Sequence, residues 1–407
     1  MTATIRLARL PDAGEAEAPR VFSEGLEGLS RAHSLRLVGR EDLTTSAQEY
    51  RALASDADTR RLRVVAVLDG GGRGVDEWLA RVGGAGAPSP DEAVPAWDPG
   101  SAAPETPAAV VGGVEVSASL ISDPRRAEID VMVAPGWGGS RLPDLLTALG
   151  ETIAAAWGRP VLQVWTDCPG WAQTGSPQAV SGVATPVPGD GDVASPMRTG
   201  FTDLLRARAY RPVHAEWVTC LDVAGTEEPE GDGAPLGEAS GYEAVSWSGP
   251  RSPEHLLDQL ARIYALAATD MPSGEMTVEP GAWDDGRVMR REALAERCGR
   301  EWVTTAVRPV GGELVGWTTL MVPPGLPEVV FQQGTLVRVD HRGHGLAGWM
   351  KRVNLRELLA RHPGVRRVYT WTEGENTPVI AMNTRIGFRP VAVSVCWERT
   401  AAGEAGG

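Results

Sequence analysis

Closely spaced cysteine pairs, long apolar runs and any surplus of positive charge are all missing from this chain of 407 residues. No stretch approaches the roughly 18 consecutive apolar residues that span a bilayer. The opening MTATIRLARLPDAGEAEA lacks the apolar core of a secretory leader, so a cytoplasmic protein with no membrane partner is expected. Cys168, Cys220, Cys298 and Cys396 stand far apart with no CxxC, which argues against a zinc site or a disulfide framework and for free thiols buried in a reducing compartment. The six histidines are too scattered to mark a metal site, and no Ser-His-Asp or Cys-His grouping is visible. Lys and Arg number 39 against 53 Asp and Glu, giving a formal net charge of -14 that makes non-specific nucleic-acid binding unexpected. Such a surface would tolerate, or attract, a cationic small molecule.

What is present is an ordinary globular composition, 42% apolar and 23% charged, in a chain long enough for two domains with a core each. The chain also contains itself twice. Val161–Asp167 (VLQVWTD) matches Val365–Trp371 (VRRVYTW), and Ile129–Gly139 matches Gln333–Gly343, both at an offset of 204 residues. Ala209–Asp222 matches Gly387–Thr400 through a shared aromatic-Arg-Pro-Val at an offset of 178, so the first copy carries 26 extra residues. Those are accounted for by the Pro-, Gly- and Ser-rich stretch Pro169–Pro196. This is a tandem duplication. The expected division is a first domain over 1–222, an acidic glycine-rich linker over 223–240 and a second domain over 241–407, with a disordered tail from Ala401. Asp69 to about Pro107 reads as a second flexible insert in the first domain.

In the second copy the pattern predicts a helix over Pro253–Thr269 opened by Ser252, and strands at Glu301–Arg308, Glu313–Met321 and Val329–Val339. A helix over Gly345–Arg361, a strand over Val365–Trp371, a helix over Thr377–Ile386 and a strand over Val391–Trp397 follow. The first copy repeats the plan at Arg61–Leu68, Val110–Leu120, Glu128–Val133, Leu142–Trp157 and Val161–Thr166. Strand-helix-strand units joined to an earlier hairpin give the α/β class.

The junction Arg342-Gly343-His344-Gly345-Leu346-Ala347 lies between a strand and a helix. Unpaired N–H groups at a helix start, together with glycines that admit close approach, make a phosphate site, to which Arg342 and His344 could add donors. The same glycines could also serve a tight connection and nothing more. The stretch is read neither as a P-loop, since no Gly-Lys-Ser/Thr follows, nor as a dinucleotide fingerprint, since the acidic ribose ligand is missing at its span.

These residues resemble the R/Q-x-x-G-x-G/A signature of the GCN5-related N-acetyltransferase (GNAT) superfamily, and Asn376–Phe388, a helix closed by Gly-Phe, resembles a later segment of it. The tandem layout is similar to that of mycothiol synthase and other two-domain actinobacterial members. The resemblance implies two tandem GNAT domains, each a mixed, mostly antiparallel central sheet with flanking helices. It implies that Arg342, Gly343, His344, Gly345, Leu346 and Ala347 hold the pyrophosphate of acetyl-CoA, that Leu336, Val337 and Val339 line its pantetheine arm, and that Asn376 contacts the cofactor. Many members place, seven residues past that asparagine, a tyrosine that protonates the departing thiolate. Here the residue is Asn383, which has no proton to give and is either a hydrogen-bonding neighbour of the thiol or a plain helix-surface residue.

In the first copy the loop reads Pro135–Pro143 (PGWGGSRLP), with Arg141 where the second copy has Gly345. This domain is expected to be a degenerate copy kept for packing and for walling the substrate cleft, the alternative being an altered mode of cofactor binding. Amide formation needs a neutral amine and a base. Glu275, in the segment Asp270–Asp285 that would cover an acceptor, is the first candidate, with Glu373 and Glu375 beside it. The expectation is an N-acetyltransferase acting on the primary amine of a small cationic molecule, as monomer or homodimer, with acetyl-CoA as co-substrate and no metal. A non-catalytic acyl-CoA-binding or scaffolding protein is the other reading.

Overall fold

The computed structural model describes residues 4–10, 19–69, 106, 109–169, 199–223 and 241–400. The linker and both inserts expected from the sequence, except for a few of their end residues, and the tail after Thr400 lie outside the described residues.

The first half runs β1 (Thr4–Arg9), α1 (Arg20–Val38), α2 (Ala47–Leu53), β2 (Thr59–Asp69), β3 (Val110–Ser119), β4 (Arg126–Val133), α3 (Leu142–Ala156), β5 (Val161–Pro169), α4 (Gly200–Ala207) and β6 (Arg211–Asp222). The second repeats it with β7 (Tyr242–Ser248), α5 (Leu257–Asp270), α6 (Asp285–Arg297), β8 (Glu301–Pro309), β9 (Gly316–Val322), β10 (Val329–Val337), α7 (Leu346–Arg361), β11 (Arg367–Glu373), α8 (Thr377–Ile386) and β12 (Arg389–Thr400). Local chemistry sets several ends. Ser46 and Glu49 form a reciprocal capping box on α2, and α8 stops at Gly387.

Three expectations shift. The helix placed at Pro253 begins as a 3-10 turn over Glu254–Leu256 and becomes α-helical only at Leu257, with no side-chain cap at either start. Ser252 instead donates its N–H to Glu292 Oε1 at 3.1 Å. The strand placed at Glu313 begins at Gly316, because the Leu314 N–H is taken by Gln259 Oε1. β10 ends at Val337, and Val339 sits in a 3-10 turn with 74% of its surface exposed.

The sheets of the two halves join into one of twelve strands, ordered β1-β2-β3-β4-β5-β12-β6-β11-β10-β9-β8-β7. Two pairs, β4·β5 and β10·β11, are parallel, and the other pairs are antiparallel. The mixed, mostly antiparallel sheet with flanking helices therefore holds, with one feature the sequence did not announce. The last strand of each half is exchanged: β12 lies beside β5 of the first half, and β6 lies beside β11 of the second.

The core follows the exchange. Val393, Val395 and Trp397 of β12 are buried with α3 and β3–β5 of the first half, and Trp397 donates its indole N–H to Thr166 Oγ1 at 2.9 Å. Leu37 and Val218 pack with Val329 and Tyr369, and Asp42 accepts from both Arg367 and the Tyr369 hydroxyl. The four cysteines are free; Cys168, Cys298 and Cys396 are buried and Cys220 partly so.

Candidate functional site

β10 and β11 pair only over Val329–Phe331 and Arg367–Tyr369 and then part, β10 staying with β9 and β11 with β6. A cavity of about 1270 Å³ opens in that fork. Its walls are the end of α5, β10 from Gln332 to Val337, residues 341–345, the first turns of α7, the end of β11, and α8. Pockets of roughly 300–1,000 Å³ serve drug-sized ligands, so this space admits a large ligand and a smaller one together.

At the mouth, Gly345 is the residue before α7, at φ 72, and Gly343 sits at φ 83. No packed neighbour demands a glycine at 343, where a Cβ would meet open space; the left-handed backbone at both positions is what disfavours other residues. The consequence concerns the amides. The helix ladder resumes with the Trp349 N–H bonded to Gly345 O, and among the described residues no carbonyl takes the N–H of residues 343–348. Six consecutive donors at a helix N-terminus form an anion cradle. The glycines at 343, 345 and 348 do have G-x-G-x-x-G spacing, but that fingerprint belongs to an open parallel sheet, and this one has only two short parallel pairs.

Charge supports the same conclusion. In a chain of net charge -14, the cavity is lined by Arg342, Lys351, Arg352 and Arg385 against Asp270 and Glu373, with His341 and His344 in addition. Arg342 is already engaged: its Nε donates to Val337 O at 3.0 Å and its guanidinium pairs with Asp270, so it fixes the loop to the end of α5. Tyr242 Oη and His341 Nδ1 are 2.8 Å apart, and the His344 ring lies 5.8 Å from Tyr242.

The residues expected from the sequence divide clearly. Leu336, Val337, Arg342, Gly343, His344, Gly345, Leu346, Ala347, Asn376, Asn383 and Glu373 line the cavity, whereas Val339, Glu275 and Glu375 do not. Asn376 Nδ2 donates to Glu373 Oε2 at 3.1 Å, aligning that carboxylate at the end of β11. Glu375 is exposed on the turn beyond it. The Glu275 side chain is 61% exposed and paired with Arg211 at 2.8 Å. The reason lies in its segment, which follows the first half and the strand β12 exchanged into it: the Glu275 N–H goes to Val213 O, Thr277 donates to the Glu398 carboxylate, the Glu279 N–H donates to Asp123 Oδ1 and Glu279 O accepts from the Asp123 N–H. The expectation that the first half walls the cleft also changes, since among the described residues every one that lines it lies between Asp270 and Ile386. β6 stands behind β11 and contributes pairing, not lining.

One residue escaped the sequence reading. Lys351, 6% exposed, lines the cavity and donates to Asn383 Oδ1 at 2.8 Å, while Asn383 Nδ2 donates to Thr372 Oγ1 at 3.1 Å. Burial pushes the Lys351 ammonium down to about 8. The available signal was its rarity, for it is the chain's one lysine.

The corresponding loop of the first half closes on itself. The Ser140 N–H bonds to Trp137 O, the Leu142 N–H takes Ser140 Oγ, Pro143 has no N–H, and Arg141 has an ordinary helical φ of -74. No group of three or more His, Cys, Asp or Glu suited to a metal occurs among the described residues, nor is any described helix long and apolar enough to cross a membrane.

Residues 260–388 match the model of the acetyltransferase (GNAT) family, a span confined to the second half. Among solved structures, a tandem GNAT protein from the clavulanic acid biosynthesis pathway, determined without AcCoA, aligns over 98% of this chain and 100% of its own at 20% identity and a TM-score of 0.67. A GCN5-related N-acetyltransferase from Sphaerobacter thermophilus aligns over 97% and 95% at 14% identity and a TM-score of 0.54. A GCN5-related glucosamine N-acetyltransferase region of a fungal multi-domain GH3 β-N-acetylglucosaminidase aligns over 98% of this chain and 38% of that one, at 10% identity and a TM-score of 0.53. No curated protein matches the chain. The architecture is that of tandem GNAT proteins.

Proposed function

We propose that the chain is an acyl-CoA-dependent N-acyltransferase that moves an acetyl group from acetyl-CoA to a primary amine of a small cationic molecule. The observation that carries this reading is the run of unpaired amides at residues 343–348, opening on a basic cavity in an acidic protein. Those amides fit a pyrophosphate, and the fork between β10 and β11 fits an extended amide-bearing arm, because β10 there has no strand partner on its β11 side. When bound, acetyl-CoA would supply an activated acyl group. Arg342 and Asp270 hold the loop that grips it, and Leu336, Val337 and Asn376 border the arm. Glu373, held by Asn376, takes the proton of the attacking amine. The first half is a degenerate copy without this cradle, so one acyl-CoA is bound per chain.

Calorimetry with acetyl-CoA, followed by CoA thiol release across a panel of primary amines, tests the reading. A stoichiometry near one and amine-dependent release are expected; absence of acetyl-CoA binding overturns it. Asn383, which offers no ionisable proton, favours the second reading of an acyl-CoA-binding or scaffolding protein. Binding without turnover for any amine would select it.

A further inference from the structure

Every fixed cation of this chain is an arginine except Lys351. Arginine forms ion pairs but does not release a proton in proteins, whereas a buried lysine can. The single lysine is not at the surface. It stands on α7 among Leu346, Met350 and Leu358, all buried, and its ammonium lies 5.8 Å from the Phe388 ring. Among the described residues no carboxylate pairs with it; one donor goes to Asn383 Oδ1, and no second protein acceptor there takes the others. Asn383 is oriented for this by Thr372, which accepts from its amide nitrogen. Lys351 is five residues into α7 from Leu346, about 7–8 Å inward of the anion-binding amides.

We infer that Lys351 is the proton donor to the departing thiolate and that Asn383 is its positioning residue, an inference that rests on the acyl-transfer reading above. As the C–N bond forms and the C–S bond of the thioester breaks, the sulfur keeps the bonding pair and takes one proton from the Lys351 ammonium. The nitrogen gives its surplus proton to Glu373, which returns it to solvent, and solvent reprotonates Lys351. No oxidant, reductant or further reactant enters. An ammonium whose acidity lies near 8 is charged at neutral pH and acidic enough to donate. The ionisable groups around the cleft are Glu373 on β11, Arg385 on α8, Arg352 on α7 and, at the mouth, Asp270, Arg342 and the two histidines.

The test begins with CoA itself, so that no acceptor need be known. Calorimetry shows whether CoA binds; if it does not, the acyl-CoA reading fails before Lys351 is at issue. With CoA bound, its thiol is titrated by thiolate absorbance in the wild type, Lys351→Met and Lys351→Arg. Beside a permanently charged group the thiol should be about tenfold more acidic in Lys351→Arg than in Lys351→Met, with the wild type between them because its lysine gives up its proton near pH 8. Rates with an amine that supports CoA release should then fall about 10²–10³-fold in both variants, with little change in the acetyl-CoA KM. The wild-type rate should decline as pH rises through about 8, and that decline should vanish in both. Asn383→Ala should shift the pH of the decline and keep a measurable rate. Equal thiol acidity in Lys351→Arg and Lys351→Met, which would place residue 351 away from the sulfur, or restoration of kcat by Lys351→Arg, overturns the inference, the latter by reducing Lys351 to a fixed charge.

Discussion

Replacing Lys351 with methionine should make the protein more stable at neutral pH. The ammonium is depressed from 10.5 to about 8 by burial alone, and about 2.5 units at roughly 1.4 kcal/mol each is about 3 kcal/mol. Because the folded value is the lower one, the unfolded chain binds the extra proton between about pH 8 and 10.5. Stability therefore rises with pH across that window, and the cost of the buried charge is felt in full below pH 8. Methionine has similar length and no charge to desolvate, but leaves Asn383 Oδ1 without its donor, which returns about 1–2 kcal/mol. The net expectation is a gain of about 1–2 kcal/mol at pH 7 that reverses to a loss of about 1 kcal/mol by pH 10.5, where only the missing hydrogen bond counts, read from urea denaturation of both proteins at the two pH values. A variant that is equally destabilised at both would refute the reasoning, because it would show that the lysine contributes packing and not a strained charge.

Three further outcomes follow. Gly345→Arg forces a side chain into a backbone at φ 72 and displaces the start of α7; losing two of the cradle's charge-assisted bonds should weaken CoA by at least about 3 kcal/mol, a hundredfold or more by calorimetry, with the melting curve still cooperative. Trp397→Ala, which empties a site 1% exposed in the first half's core, should cost about 3–5 kcal/mol in urea denaturation even though the residue is near the far end of the chain. Cleavage at a protease site inserted between residues 224 and 240 should leave both halves co-eluting on a sizing column, and separation in native buffer would contradict the exchanged strands.

Much of this architecture was legible in the sequence because it is periodic and local. The repeated aromatic-Arg-Pro-Val fixes the equivalence of β6 and β12, whose ends both differ by 178 residues, and the run Arg342–Ala347 announces its own helix start. What was not legible depends on pairing between distant segments. Nothing local in Val391–Trp397 says that its strand joins the first half, since β5 and β11 offer it similar edges. Glu275 failed to reach the cleft for the same reason, because the bonds that steer its segment come from Val213, Asp123 and Glu398. Lys351 was hidden by type: a lysine in an apolar helical stripe ordinarily carries its head out to solvent.

The exchange also gives the first half a task that needs no ligand. β11 parts from β10 after Tyr369, and an unpaired strand there would have no fixed position for its end. β6 supplies the missing ladder, pairing Trp371, Thr372 and Glu373 with Val218, Trp217 and Glu216, and the Gly374 N–H continues it to Ala215 O. Thr372 orients Asn383, Asn383 holds Lys351, and Glu373 is set by the same strand. Both groups assigned to proton transfer thus depend on a strand of the first half. That support is backbone pairing, which tolerates side-chain change far better than an anion-binding loop does. The first half, with Arg141 and Pro143 where the second has its cradle, thereby still sets the end of β11 at the cleft of the second.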